Sequence, residues 1–257
     1  MTEGPTARLR ALLIEKEVLG ETLRNILART RKTHVRPSRL IGKKLDYVDT
    51  FGKNIVLGFS EYAIRIHLMM YGTIHIYGPS DPFLKPERQI RLLLDFDERK
   101  VVVYNAPIVQ IGRKSSIVRM LKKSLGEDPL RDDWNPQRAI SLILRHGDRK
   151  IGDLLLDQRV IAGIGNILRN EILFRAKIHP ERAVRDLSPD EIRRIVTIAK
   201  ELSEEFLRRK LRGERLRPIL YVYNKYGKPC PICGRPIRYY RQEPHRRKTF
   251  VCENCQK

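Results

Sequence analysis

The sequence predicts an α+β protein of several domains, and three observations carry that prediction. After one helical stretch, apolar residues alternate with period two from about 44 to 105, as in half-buried strands. From about 136 the apolar period returns to 3.6, the signature of packed helices. All four cysteines fall in the last 28 residues, as CPIC (230–233) and CENC (252–255). Together they describe an N-terminal helix with a β-sandwich, then a helical domain, then a small C-terminal β-hairpin zinc finger.

The first helix is expected over 5–31, where Leu9, Leu12, Leu13, Leu19, Leu23 and Leu27 are interleaved with charges. Ile64, Ile66 and Leu68 alternate with Arg65, His67 and Met69, which reads as a strand. RLLLDFDERKVVVY (91–104) reads as a hairpin turning at Asp97-Glu98. These elements make up an N-terminal domain over 1–123. The acidic stretch LGEDPLRDDWNP (125–136), broken by two prolines, marks an interdomain linker, placed at 124–135. Helices follow at about 136–146, 151–158, 166–176 and 189–212. The last opens on Ser188-Pro189-Asp190-Glu191, with an N-cap serine, a proline at the first helical position and a glutamate placed for a capping box. The helical domain spans 136–215 and the zinc finger 216–257.

The net charge of +22 over 257 residues implies a polyanionic partner, nucleic acid before an anionic membrane surface. Charged residues make up 32% of the chain and run throughout it, which describes a folded basic protein and not a basic tail. No apolar run is long enough to span a bilayer and no signal segment opens the chain, so a soluble, intracellular protein without a membrane partner is expected. The clustering of the cysteines excludes a dispersed disulfide framework.

C-x2-C-x18-C-x2-C (Cys230, Cys233, Cys252, Cys255) can set four thiolates around one structural Zn2+, the alternative being reduced or redox-active pairs. The intervening RPIRYYRQEPHRRKTF is basic and aromatic, as a hairpin laid on a phosphate backbone would be. AGIGN (162–166) is either an ordinary glycine turn or a phosphate seat at a helix N-terminus. HLMMYG (67–72) is either core packing or a loop-tip wedge that fills the gap left by an extruded base. Lys53, in TFGKN (50–54), read alone, is a solvated charge.

Taken in order, these elements resemble the formamidopyrimidine-DNA glycosylase/endonuclease VIII family. The resemblance runs through the EGP start (3–5), the GK loop, HLMMYG, LGEDPLRDD, LLLDQRVIAGIGNILRNEILF (154–174), IHPERAVRDLS (178–188), VYNKYGKPCPICG (222–234) and the CQK ending. It implies a helix-two-turns-helix domain and a base-excision-repair glycosylase with AP lyase activity, acting on damaged DNA, duplex or single-stranded, as a monomer, in the cytoplasm or nucleoid if the cell is prokaryotic. The nucleophile it implies is the N-terminal amine of Thr2 once Met1 is removed, with Glu3 as the acid and Lys53 near the abasic sugar. Asn166, Arg149 and Arg247 correspond to phosphate contacts, and Met70, with Tyr71, to the intercalating wedge. APIVQIG (106–112) stands where purine-selective members carry an Arg-Arg-Phe loop, and the stretch at 212–221 is too short for their Gly-rich lid. Both point to oxidised pyrimidines and to the endonuclease VIII branch.

Two positions depart from the family pattern: Thr2 replaces the usual proline, and Thr6 a usual glutamate. A primary amine forms an imine that needs a proton before it acts as an electron sink, so weaker strand cleavage is expected. Two other readings stay open: a catalytically silent, zinc-dependent binder of damaged or single-stranded DNA, and an RNA-associated basic protein.

Overall fold

The leucine spacing of the N-terminus overstates its helix. In the computed structural model, which describes residues 2–257, α1 covers Gly4–Val18 and not 5–31. Gly20 ends it at φ +86°, a left-handed conformation that glycine adopts without steric cost. Leu23 then enters the core and Leu27 lies on a strand, so a spacing of four residues continues past the helix that began it. Ala7, Ala11, Ile14 and Val18 form the buried face of α1, at the i, i+4, i+7 positions that share one side of a helix.

Two compact units divide the chain. One holds Thr6–Ser124 together with Thr2, and the other holds Leu125–Lys257 together with Glu3–Pro5. The first unit contains β1 (Asn25–Ala28), β2 (Lys32–Thr33), β3 (Tyr47–Phe51), β4 (Asn54–Phe59), β5 (Tyr62–His67), β6 (Thr73–Tyr77), β7 (Ile90–Asp95), β8 (Lys100–Tyr104), β9 (Ile108–Arg113) and α2 (Lys114–Ser124). Their sheets are β1-β7-β8-β6 and β2-β9-β5-β4-β3. Every pairing is antiparallel except β2 with β9. The β7–β8 hairpin turns where the sequence places it, with Asp97 at φ +69°. Ile55, Leu57, Ile64, Ile66, Leu92 and Val103 fill the space between the sheets, each fully buried side chain stabilising by about 1.5–3 kcal/mol. The apolar pattern does not announce the basic helix α2, because only Ile117 and Leu121 of it are buried.

The second unit contains α3 (Pro136–Leu144), α4 (Ile151–Leu154), α5 (Asn166–Arg175), α6 (Pro189–Leu211) and the hairpin β10 (Arg238–Gln242) with β11 (Arg247–Val251). The capping box at Ser188 forms in both directions with Glu191. Ile143, Leu154, Leu168, Ile172, Ile195 and Phe206 make its core, and Phe174, Val222, Ile237 and Phe250 tie α5 to the hairpin. The acidic segment at 125–136 runs within this unit. Gly126 N–H donates to Gln158 O at 2.9 Å, Ala162 N–H to Glu127 O at 2.8 Å, and Asn135 N–H to the Glu127 carboxylate at 2.9 Å. Among the described residues no helix is long and apolar enough to cross a membrane.

Candidate active site

The first residues of the chain are held, not loose. Thr2 is 8% and Glu3 3% exposed, and Gly4 N–H donates to Gly163 O at 2.8 Å. Gly4 has no room for a side chain, since a Cβ there would lie 3.0 Å from Gly163 Cα. Gln158 in turn braces that turn: its Oε1 accepts from Gly163 N–H at 2.9 Å and its Nε2 donates to Leu156 O and Ile164 O, each at 3.0 Å. Thus EGP and AGIGN, far apart in sequence, are two halves of one packing arrangement. Met1 itself lies outside the described residues, and its removal stays a requirement of the sequence reading.

Glu3 occupies the start of α5. Ile167 N–H donates to its Oε1 at 2.7 Å and Leu168 N–H to its Oε2 at 3.2 Å. Unpaired amides and the helix dipole make such a site a natural seat for an anion, and the anion here is the protein's own carboxylate. Gly165 makes room for it, because a Cβ at that position would lie 2.4 Å from Glu3 Cγ and 2.5 Å from Oε1.

Asn166, 2% exposed, opens α5 and donates from Nδ2 to Lys248 O at 2.8 Å. The same carbonyl accepts from Arg169 Nη2 at 2.8 Å, and Asn170 Oδ1 accepts from Phe250 N–H at 2.7 Å. These bonds fix β11, and with it Arg247, on α5. Among the described residues no carboxylate pairs with Arg247. Arg169 is fully buried and donates to neutral oxygens of Gln242, Lys248 and Thr249. Burial and the Arg247 charge push it down to about 10, which still leaves it cationic at neutral pH. Two guanidinium groups thus flank the start of α5, beside the Glu3 carboxylate. Tyr223 also faces Glu3, Asn166 and Arg247, and its phenol is pushed up, first by burial and then by Glu3. Gln158, Gly165, Arg169 and Tyr223 lie within the family motifs, yet nothing in the sequence alone singles them out.

The first unit presents Lys53 and the wedge turn. Lys53 sits half-buried in the Gly52-Lys53 turn between β3 and β4. Met69, Met70 and Tyr71 are 47%, 53% and 76% exposed. They follow β5 on a turn closed by a Gly72 N–H···O Leu68 bond of 2.8 Å, so these side chains are not core. Met69 takes φ +50°, its N–H donating to His67 Nδ1 at 3.1 Å and its carbonyl accepting from Thr2 N–H at 3.2 Å. Burial, helped by Lys53 and Arg65, pushes His67 down to about 4. Its ring is therefore neutral at pH 7 and can accept that bond. Thr2 nitrogen is thus tied to the base of the wedge.

Arg149 lies between Asp153 (2.6 Å) and Asp157 (2.8 Å), and Asp153 also meets His245 at 2.9 Å. Its guanidinium is committed to two carboxylates, and Arg159 first, with Arg149 after it, holds Asp157 well below the usual range. The four cysteine sulfurs lie within 4.8 Å of one another, with Cys230–Cys255 at 3.8 Å and Cys233–Cys252 at 3.5 Å. Four sulfurs at ~2.3 Å from a tetrahedral Zn2+ would stand about 3.8 Å apart, so the cluster fits one such ion.

Known proteins share this fold. Residues 1–107 match the formamidopyrimidine-DNA glycosylase N-terminal domain, and residues 125–216 match the formamidopyrimidine-DNA glycosylase H2TH domain. The chain is 34% identical to a probable endonuclease 8 2 of Streptomyces coelicolor, over 100% of this chain and 94% of that protein. It is 32% identical to endonuclease 8 1 of Mycobacterium tuberculosis, covering 100% of both. A solved complex of Lactococcus lactis Fpg with DNA containing an abasic site has the same fold, with a TM-score of 0.86, 23% identity and 99% coverage of each chain. The EGP start seated on the GIGN helix, the two-sheet sandwich and the four-cysteine hairpin therefore have one common explanation: the chain belongs to the formamidopyrimidine-DNA glycosylase/endonuclease VIII family of DNA glycosylases.

Proposed function

We propose that this protein excises oxidised bases, pyrimidines preferred, from damaged DNA through the α-amine of Thr2, and then cleaves the strand by elimination at reduced efficiency. The observation that carries this reading is the double anchorage of the N-terminus, with Thr2 nitrogen on Met69 O and the Glu3 carboxylate on the amides of α5. A terminal amine ionises at about 7.7–8, against about 10.4 for lysine, so a usable fraction is neutral at pH 7. On attack at C1′ of the extruded nucleotide the amine forms a C–N bond, and the bond to the base breaks with its electron pair. Glu3 takes the proton released by the amine and returns it to the sugar ring oxygen as the ring opens. Loss of the ring-oxygen bond leaves an imine. Protonated, it acidifies C2′: a C2′ proton passes to water, its electron pair forms the C2′–C3′ double bond, and the C3′–O bond breaks to release the 3′ phosphate.

In this reading Met70 and Tyr71 fill the gap left in the stack, while Asn166 and Arg247 hold phosphates beside the extruded nucleotide. Lys53 lies near the abasic sugar, and one structural Zn2+ on Cys230, Cys233, Cys252 and Cys255 keeps the hairpin folded. Arg149, held between Asp153 and Asp157, is a further candidate for a phosphate contact. The preference for pyrimidines is supported by residues 108–113, which form strand β9 in place of a void-filling loop. The abasic-site DNA of the Lactococcus lactis complex supports damaged DNA as the partner.

On a duplex carrying thymine glycol, the protein is expected to release the base faster than it nicks the strand. Thr2→Pro, whose iminium is permanently cationic, should raise nicking towards one event per base released. Release of no oxidised pyrimidine, with lesion binding retained, would replace this reading with that of a catalytically silent binder.

A further inference from the structure

We infer that the N-terminal unit carries a second phosphate-binding cleft, formed by Arg31, Lys32 and Arg91, which grips the phosphodiester backbone about three nucleotides from the wedge. The inference rests on the DNA-binding reading above and adds a contact that the family resemblance did not supply.

The cleft lies where the chain passes from one sheet to the other, between β1 and β2. It encloses about 500 Å³, and its lining residues include Arg29, Thr30, Arg31, Lys32, Arg91 and Pro107, with no carboxylate among them. The segment RTRKTHVRPSR (29–39) contains five Arg or Lys residues and no acid. Arg29 is partly neutralised by Glu87, 3.3 Å away. Among the described residues no carboxylate pairs with Arg31, Lys32 or Arg91. Arg91 Nε is moreover buried without a hydrogen-bond partner, an arrangement that costs free energy. The walls are fixed: Thr30 Oγ1 donates to Val109 O at 2.6 Å, His34 N–H to Ile111 O at 2.9 Å, and Arg29 N–H to Arg91 O at 2.9 Å. A concave, fixed and uncompensated cationic surface suits an anion.

Strand register sets the cleft beside the turn that follows β5. Lys32 pairs with Gln110 of β9, Ile108 of β9 with His67 of β5, and His67 with Asn54 of β4. The cleft, the wedge turn after His67 and the Lys53 turn before Asn54 therefore share one end of the five-stranded sheet. From β2 to β5 is two interstrand spacings, about 10 Å. Successive nucleotides rise ~3.4 Å along a duplex, so a backbone that passes the wedge reaches the cleft about three nucleotides on.

The test uses the full chain and a duplex containing a tetrahydrofuran abasic analogue. Arg31→Ala/Lys32→Ala alters exposed side chains and should leave the fold unchanged. Affinity should fall about tenfold at physiological salt, and the slope of log K against log salt should become shallower by about 1, near 0.9 for each phosphate no longer neutralised. The single-turnover excision rate at saturating enzyme should stay at the wild-type value. Arg113→Ala/Lys122→Ala removes the same charge elsewhere in this unit and should keep the wild-type slope. An uncharged methylphosphonate about three nucleotides from the lesion, tried in each strand, should reproduce the loss and identify the strand. A wild-type slope in Arg31→Ala/Lys32→Ala, while Arg247→Ala weakens binding, would overturn the cleft and leave the DNA reading standing. Equal slope changes in the two double variants would overturn it as bulk charge alone. Wild-type protein with no affinity for the duplex would remove both readings together.

Discussion

Gly165→Ala is expected to lower base excision by about 10²–10⁴-fold, the usual range for loss of a positioned acid–base group, while leaving the protein folded. The added methyl would lie 2.4 Å from Glu3 Cγ and 2.6 Å from Cδ, within the closest approach carbon atoms tolerate. Glu3 is the part that can move, so its carboxylate leaves the amides of Ile167 and Leu168. Two charge-assisted hydrogen bonds are lost, each about 1.5–3 kcal/mol, partly offset by water reaching the freed groups. The thermal midpoint should drop by about 2–4 °C for each kcal/mol not recovered, with a cooperative melt retained because the cores of both units are untouched. Glu3→Gln should lose activity similarly without displacing the chain. Single-turnover excision beside a thermal melt checks both, and near-wild-type excision by Gly165→Ala would show that Glu3 acts from another position.

If the four cysteines hold the proposed Zn2+, its removal should be as damaging by a different route. Cys230 and Cys252 are buried within the small cluster that also holds Phe174, Val222 and Phe250. Small domains of this kind draw their folding free energy from the metal. Cys230→Ser, or a strong chelator, should therefore release β11 from Asn166, Arg169 and Asn170 and take Arg247 with it. Duplex affinity is expected to fall by about a hundredfold, about 2.7 kcal/mol, with the N-terminal unit still folded. Metal analysis with an anisotropy titration reads this directly. Unchanged affinity in metal-free protein would show that Arg247 does not hold the duplex.

The architecture was legible because its patterns are local. Period two marks the sandwich strands, and the capping box marks the start of α6 to the residue. The cysteine spacing places the four sulfurs in one cluster. Where local pattern runs on past its cause, as at Leu19, Leu23 and Leu27, the reading fails, because leucines at helical spacing suit a turn and a strand equally well. The site was legible only in pieces. EGP and GIGN each read as a turn, and neither shows that Glu3 caps α5 across more than 160 residues of chain. Nor does the sequence alone show that Asp153 and Asp157, four and eight residues on, hold the Arg149 guanidinium. His67 needs burial to become a neutral acceptor, and burial is a property of the folded chain.

The proposed chemistry stands or falls on a covalent bond between Thr2 nitrogen and the sugar. Borohydride reduction during turnover on a thymine-glycol duplex, followed by proteolysis and mass spectrometry of the trapped peptide, detects that bond. The expected product is a peptide that starts at Thr2 and carries the reduced sugar on its α-nitrogen, with no adduct on Lys53. An adduct on Lys53, or excision with no adduct, would contradict it.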